Sequence, residues 1–231
     1  MSAFTSRDEL LAAVAEWTAD ATTASGVYGH ISTWDTSRVT DMSWLFCGCS
    51  DHICWSSGCN YLNQQFNDDV NSWDVGQVTS MESMFDTATS FDHQLNSWDV
   101  SQVANTKRMF YDANSFDQRL NSWNVSHVWN MEWMFAYATS FDQELNDWNV
   151  GNAQYMSRMF QVQSAPPRAR CLSPPTNPGI PHGPQPPHLC LAPPPQSPPR
   201  EPVAHLCPRL TAVPPTWPDR MQPACRAATS A

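Results

Sequence analysis

No proline occurs in the first 165 residues; all twenty lie between Pro166 and Pro223. So abrupt a shift in composition marks a domain boundary before any periodicity is considered. Glycine is also scarce, with eight in the whole chain. Neither a P-loop nor a Gly-rich dinucleotide turn is present, and G-x-S-x-G and H-E-x-x-H are absent as well. Basic residues are few where the fold must lie: residues 1–165 carry 20 Asp and Glu against 6 Lys and Arg, while residues 166–231 carry 2 against 6. An acidic domain lacks the basic face that phosphate contacts need, and the six arginines of the tail are scattered, so no nucleic-acid partner is expected.

Long apolar runs are missing too. No stretch is long enough to span a bilayer, so no transmembrane segment is expected. A secretory signal fails at the N-terminus because Arg7, Asp8, Glu9 and Glu16 leave only the run Leu10 to Ala15. The histidines offer no catalytic pattern: His182, His188 and His205 sit in the tail, and His93 and His127 occupy variable positions of a repeat. The chain therefore reads as a non-enzyme with no cofactor and no metal.

What is present is a repeat. A block that begins at Trp73 returns at Trp98, Trp123 and Trp148, a step of 25 residues. Aligned on its Trp it reads W-[D/N]-V-[S/G]-x-V-x-x-M-x-x-M-F-x-x-A-x-S-F-[D/N]-x-x-L-N-x. An earlier copy starts at Trp34 and keeps Val39, Met42, Leu45 and Phe46. Its next Phe, Phe66, arrives about fourteen residues late, and such an insertion in a repeat array becomes a loop on one face. The last copy keeps Met156, Met159 and Phe160 and then loses the pattern.

A period in this range is the mark of a solenoid whose units bury their apolar faces by stacking. The expected fold is a repeat solenoid, leucine-rich-repeat-like or a β-solenoid, with short strands and helical turns in each unit. Ser6 and Glu9 fit a capping box, and Leu10, Leu11, Val14 and Trp17 follow at helical spacing through Asp20, which predicts an N-terminal capping helix. The expected organisation is a helix and lead-in over 1–33, a five-copy solenoid over 34–160 with a Cys-rich insert at 47–60, and a disordered Pro-rich tail over 161–231. A repeat that stops in mid-unit leaves an apolar end expected to recruit another copy. The patternless sequence after it is also what a misread gene boundary would produce.

The insert holds Cys47, Cys49, Cys54 and Cys59, with His52 between them. The spacing C-x-C-x4-C-x4-C lacks the paired knuckles of a strong zinc motif. Disulfides, free thiols and a metal site all remain open, with local disulfides the commonest outcome outside the cytosol. Cys171, Cys190, Cys207 and Cys225 of the tail carry no motif.

The strings NSWDVGQVTSMESMF from Asn71, NSWDVSQVANTKRMF from Asn96 and NSWNVSHVWNMEWMF from Asn121 resemble the repeats of the BspA-like leucine-rich-repeat surface proteins. The resemblance runs from about Trp34 to Phe160, and YGHISTWDTSRVTDMSWLF resembles the usual lead-in. It implies a cell-surface or extracellular protein used for adhesion or protein contact, and it implies no catalytic residues. The tail and the Cys insert lie outside the pattern.

Recurrent polar positions have a structural reading first. Asn71, Asn96, Asn121 and Asn146 form one row, Asp74, Asp99, Asn124 and Asn149 a second, and Asn67, Asp92, Asp117 and Asp142 a third. Such ladders serve turn backbones through side-chain hydrogen bonds, and calcium is the less favoured alternative because Asn replaces Asp in two places. Positions that vary between copies are the candidates for contact. Trp44, Arg108, Trp133 and Arg158 share one position in the unit, Trp129 replaces a Thr or Ala, and Tyr111, Tyr137 and Tyr155 lie nearby in sequence. Aromatics flanked by Arg at otherwise polar positions suit a protein or glycan ligand. The expected function is a noncatalytic interaction or adhesion module; the alternative is a purely structural scaffold without a specific ligand.

Overall fold

The structure, a computed structural model, describes residues 3–49, 59–161, 170–172 and 189–191. The chain divides into two units, Met1–Ala192 and Pro193–Ala231, and the second lies wholly outside the described residues.

Helix α1 spans Arg7–Ala19. Ser6 caps it by accepting the Glu9 N–H at 3.3 Å, while the Glu9 carboxylate accepts the Thr5 N–H and hydroxyl, each at 2.9 Å. The returning acid thus closes on Thr5, one residue before the cap. Asp20 takes an extended backbone that ends α1, and its side chain accepts from Thr22 and Thr23 to start helix α2, Ala21–Tyr28. Gly29, at φ 72°, ends α2 in a conformation that suits glycine. Leu10, Ala13, Val14 and Trp17 of α1 join the same buried cluster as the repeats. Trp17 donates its indole N–H to Asp68 at 2.8 Å, and Arg7 reaches the Ser43 carbonyl at 2.7 Å, so α1 is fastened to the first coils by polar bonds as well.

The repeats do not form the expected strands. Among the described residues the repeat region has no strand and no sheet, so the β-solenoid or leucine-rich-repeat reading is corrected to a series of tightly turned coils. One residue per unit makes an isolated parallel bridge to the next, in the order Asp41, Ser80, Asn105, Asn130 and Tyr155. Within a coil, Met84 donates to Met81, Asp86 to Ser83, Ala88 to Phe85 and Phe91 to Ala88. The intervening N–H groups of Met81, Ser83, Phe85 and Thr87 donate instead to the next coil, at Asn105, Lys107, Met109 and Tyr111, over 2.6–2.9 Å.

The reason for the difference lies in the backbone. Trp44, Ser83, Arg108, Trp133 and Arg158 have φ between 53° and 70°, and Thr87, Asp112 and Tyr137 between 54° and 62°. A left-handed residue breaks an extended segment, and one such residue in the first and last units and two in each of the three between leave no room for a strand. None of these positions is glycine, so nothing in the composition announced them.

The Cys-rich insert leaves the core register intact. Phe66 stacks on Phe46 at 3.9 Å, as Phe91 stacks on Phe85 at 4.0 Å. From coil to coil the Phe46, Phe85, Phe110, Phe135 and Phe160 rings lie 5.2–5.6 Å apart. A second column runs through Phe66, Phe91, Phe116 and Phe141 at 5.8–5.9 Å. The Trp column adds polar bonds to stacking. The indole N–H groups of Trp73, Trp98, Trp123 and Trp148 donate to the carbonyls of Ile31, Val70, Leu95 and Leu120 in the preceding unit, at 2.8–3.0 Å. Each is buried, which explains why Trp recurs where another large apolar residue would fill the space equally well.

The tail, expected to be disordered, contains two short paired strands. Strand β1, Arg170–Leu172, runs antiparallel to β2, Leu189–Leu191, with Cys171 opposite Cys190. Both are proline-free, so every residue in them retains a ladder donor. The rest of the tail, and with it the expected open C-terminal end beyond Gln161, lies outside the described residues.

Two outcomes test this packing. Trp123→Phe removes the indole donor from the buried Leu95 carbonyl, which keeps the Trp98 backbone N–H, and is expected to cost about 0.5–1.5 kcal/mol in a urea titration. Gly48→Ala places a methyl 2.5 Å from the Thr87 carbonyl oxygen. That backbone oxygen cannot step aside as a side chain would, so the melting temperature is expected to fall by several degrees.

Candidate functional site

Most polar side chains of the repeat are committed to the backbone. Asp74, Asp99, Asn124 and Asn149 each accept the N–H two residues on, at 3.0–3.2 Å. Asn67, Asp92 and Asp117 each accept the N–H of the equivalent residue in the next coil, at 2.8–2.9 Å. Asn71 accepts from Ser97 and Asn121 from Asp147, both at 3.0 Å. Among the described residues no three His, Cys, Asp or Glu side chains meet as metal ligands.

Two groups of aromatic residues stand apart from these ladders. The first follows the left-handed positions. The Arg108 guanidinium donates Nε and Nη2 to the two Asp86 carboxylate oxygens, at 2.7 and 3.2 Å, and lies 3.6 Å over the Tyr111 ring. Tyr111 meets Trp133 edge-on at 6.0 Å and Tyr137 at 5.3 Å. Arg158 lies 4.6 Å over the Trp133 ring. Arg108, Tyr111, Trp133, Tyr137 and Arg158 are thus one continuous row of stacked cations and rings, worth roughly 0.5–2 kcal/mol per contact.

Trp44 lies at the other end of that row, half-buried. It lines a cleft of about 410 Å3 with Cys47, Gly48, Cys49, Cys59, Asp86, Thr87, Arg108 and Tyr111. A disulfide joins Cys47 to Cys59 across the insert. Cys49 is also disulfide-bonded, whereas Cys54 lies outside the described residues. The loop is therefore closed covalently at its base, next to the Arg108 pair.

The second group is Trp129 with Tyr155, ring centroids 5.7 Å apart and edge-on. At 40% and 52% exposure they are among the few large apolar side chains left to solvent. Sequence reasoning placed all eight aromatic and Arg candidates together; the structure divides them into a packed row and an exposed pair. It missed Asp86, because the pairing of Asp86 with Arg108 occurs in one unit only and leaves no periodic trace.

Electrostatics follow burial. Burial pushes the Asp86 carboxyl above its ordinary 3.8, and the Arg108 bonds only partly offset it. Burial alone would lower Arg108, but the hydrogen bond and charge of Asp86 outweigh it and hold it raised. Desolvation raises the Tyr111 hydroxyl and the Asp112 carboxyl. Exposed Asp99 goes the other way, lowered by the hydroxyl and N–H of Ser101.

A family model described as "Mycoplasma protein of unknown function, DUF285" matches residues 15–128 and again 56–168. The chain belongs to this family. Both matches fall across the coils, and the family describes a repeat protein whose function is unknown. No curated protein and no solved structure matches the chain. No helix among the described residues is long and apolar enough to cross a membrane.

The raised Asp86 carboxyl yields a pH test. Between 3.8 and its higher folded value the folded chain binds more protons than the unfolded chain, so this group favours the fold at low pH and that contribution fades as pH rises. The stability difference between wild type and Asp86→Asn should be most favourable to wild type below pH 3.8 and decline as pH rises. Chemical denaturation across that range measures it; a difference that grows with pH contradicts the assignment.

Proposed function

We propose that the chain is a noncatalytic interaction module of the BspA-like surface-protein kind, which engages a protein or glycan ligand through its variable aromatic positions. The observation that carries this reading is the exposed Trp129–Tyr155 pair. Nearly every other repeating side chain has a backbone or core partner, so these rings are the conspicuous surface left for a ligand. A large aromatic held at the surface by a rigid framework loses little entropy on binding, which suits it to a contact hot spot.

The packed row is the supporting surface. Trp133 is half-buried under Arg158, and Tyr111 is fixed by Arg108, so these residues present ring edges and guanidinium groups in a fixed order. The disulfide in the insert favours an oxidising compartment, in keeping with a surface or extracellular site.

Purified protein applied to arrays of glycans and extracellular matrix proteins provides the test. Trp129→Ser with Tyr155→Ser is expected to weaken any selected ligand about 10- to 100-fold. Trp133→Ser serves as the probe of the packed row. Equal binding by all variants removes the aromatic positions from the ligand face, and an array without any ligand favours a purely structural scaffold.

A further inference from the structure

One asparagine of the repeat has chemistry that the others lack. Of fourteen asparagines in the chain, only Asn124 is followed two residues later by a hydroxyl residue, Ser126, with Val125 between them. The Asn-x-Ser spacing is the acceptor pattern for an N-linked glycan. The equivalent positions in the other copies are Asp35, Asp74 and Asp99, which have no amide, and Asn149, which is followed by Gly151.

We propose that Asn124 is an N-glycosylation site and that the glycan projects from the turn that opens its coil. Asn124 is exposed, and its Oδ1 accepts the Ser126 N–H at 3.2 Å. Its Nδ2 makes no hydrogen bond among the described residues. Glycan attachment at Nδ2 leaves Oδ1 in place, so the turn survives modification. The neighbouring rows offer no such tolerance: Asn71 uses both its oxygen and its nitrogen toward Ser97, and the Asn121 amide donates to Asp147 while its oxygen accepts from the same residue.

The co-reactant is a glycosyl polyprenyl diphosphate. Nδ2 bonds to the anomeric carbon, the bond from that carbon to the diphosphate oxygen breaks, and the diphosphate leaves with the electron pair. The proton lost from Nδ2 passes to the base of the transferring enzyme. Such transfer shares its compartment with disulfide formation, and the Cys47–Cys59 bond favours the same oxidising surroundings.

The test is peptide mass spectrometry of the full chain isolated from its native source, before and after peptide:N-glycosidase. The expected result is a glycopeptide containing Asn124 from which the enzyme releases the glycan mass, leaving an aspartate in place of the asparagine. Ser126→Ala, returned to the same source, removes the acceptor hydroxyl but keeps the N–H that holds the turn. It is expected to abolish the glycan while circular dichroism and melting remain those of the unglycosylated protein. An Asn124 peptide found only unmodified overturns the proposal. This outcome is separate from the ligand-binding test, which uses the exposed aromatic pair and does not depend on the glycan.

Discussion

A hydrogen bond from one backbone N–H to a carbonyl 24 residues ahead governs the arrangement of the repeat. Thr106 to Asn130, Arg108 to Glu132, Phe110 to Met134 and Asp112 to Ala136 are four instances in a single coil. These bonds fix the step between units, and the step brings like residues into register. Phenylalanine therefore stacks on phenylalanine, and each buried tryptophan finds a carbonyl in the unit before it. A shift of one residue would put the apolar set toward solvent and leave the indoles unpaired inside.

The register was legible in the sequence because large apolar residues return at a constant interval. Trp73, Phe85, Phe91 and Leu95 and their equivalents are buried, except Phe160 of the last copy, which is partly so, and the structural reading of the polar rows agrees with hydrogen bonds such as Asp117 to Asp92. The local backbone was not legible. Trp44, Ser83, Arg108, Trp133 and Arg158 adopt left-handed φ without glycine or asparagine to signal it, so a unit that reads as strand and turn folds as turns alone. The inter-coil bonds supply the compensation that makes these costly conformations persist.

For the candidate site the limit was of another kind. Position in the unit singled out the variable aromatics as candidates, but it cannot tell a ring packed under a guanidinium from a ring in solvent. Trp133 and Trp129 lie four residues apart and meet different surroundings, one beneath Arg158 and the other beside the exposed Tyr155. Asp86 is a buried carboxylate beside that row, and its role depends on a partner 22 residues away in a neighbouring coil. Periodicity averages over the copies and so hides what one copy does alone.

The bonds between coils also give the array a direction. Most backbone N–H groups that bridge coils point forward along the chain, as from Phe85 to Met109, whereas a smaller set, as from Ala104 to Thr79 and Ser115 to Thr89, points back together with the indole N–H groups, as from Trp98 to Val70. A cut between two coils therefore creates unlike faces: one is richer in backbone donors, with Met81, Ser83, Phe85 and Thr87 in one instance, and the other is richer in the carbonyls that accept them, with the backward donors such as Ala104 and Ser115 among those carbonyls. Two identical faces brought together would leave most of these donors or acceptors without a partner. Any lengthening of such an array, by gene duplication or by grafting a designed coil, must add each unit in the same orientation as its neighbours.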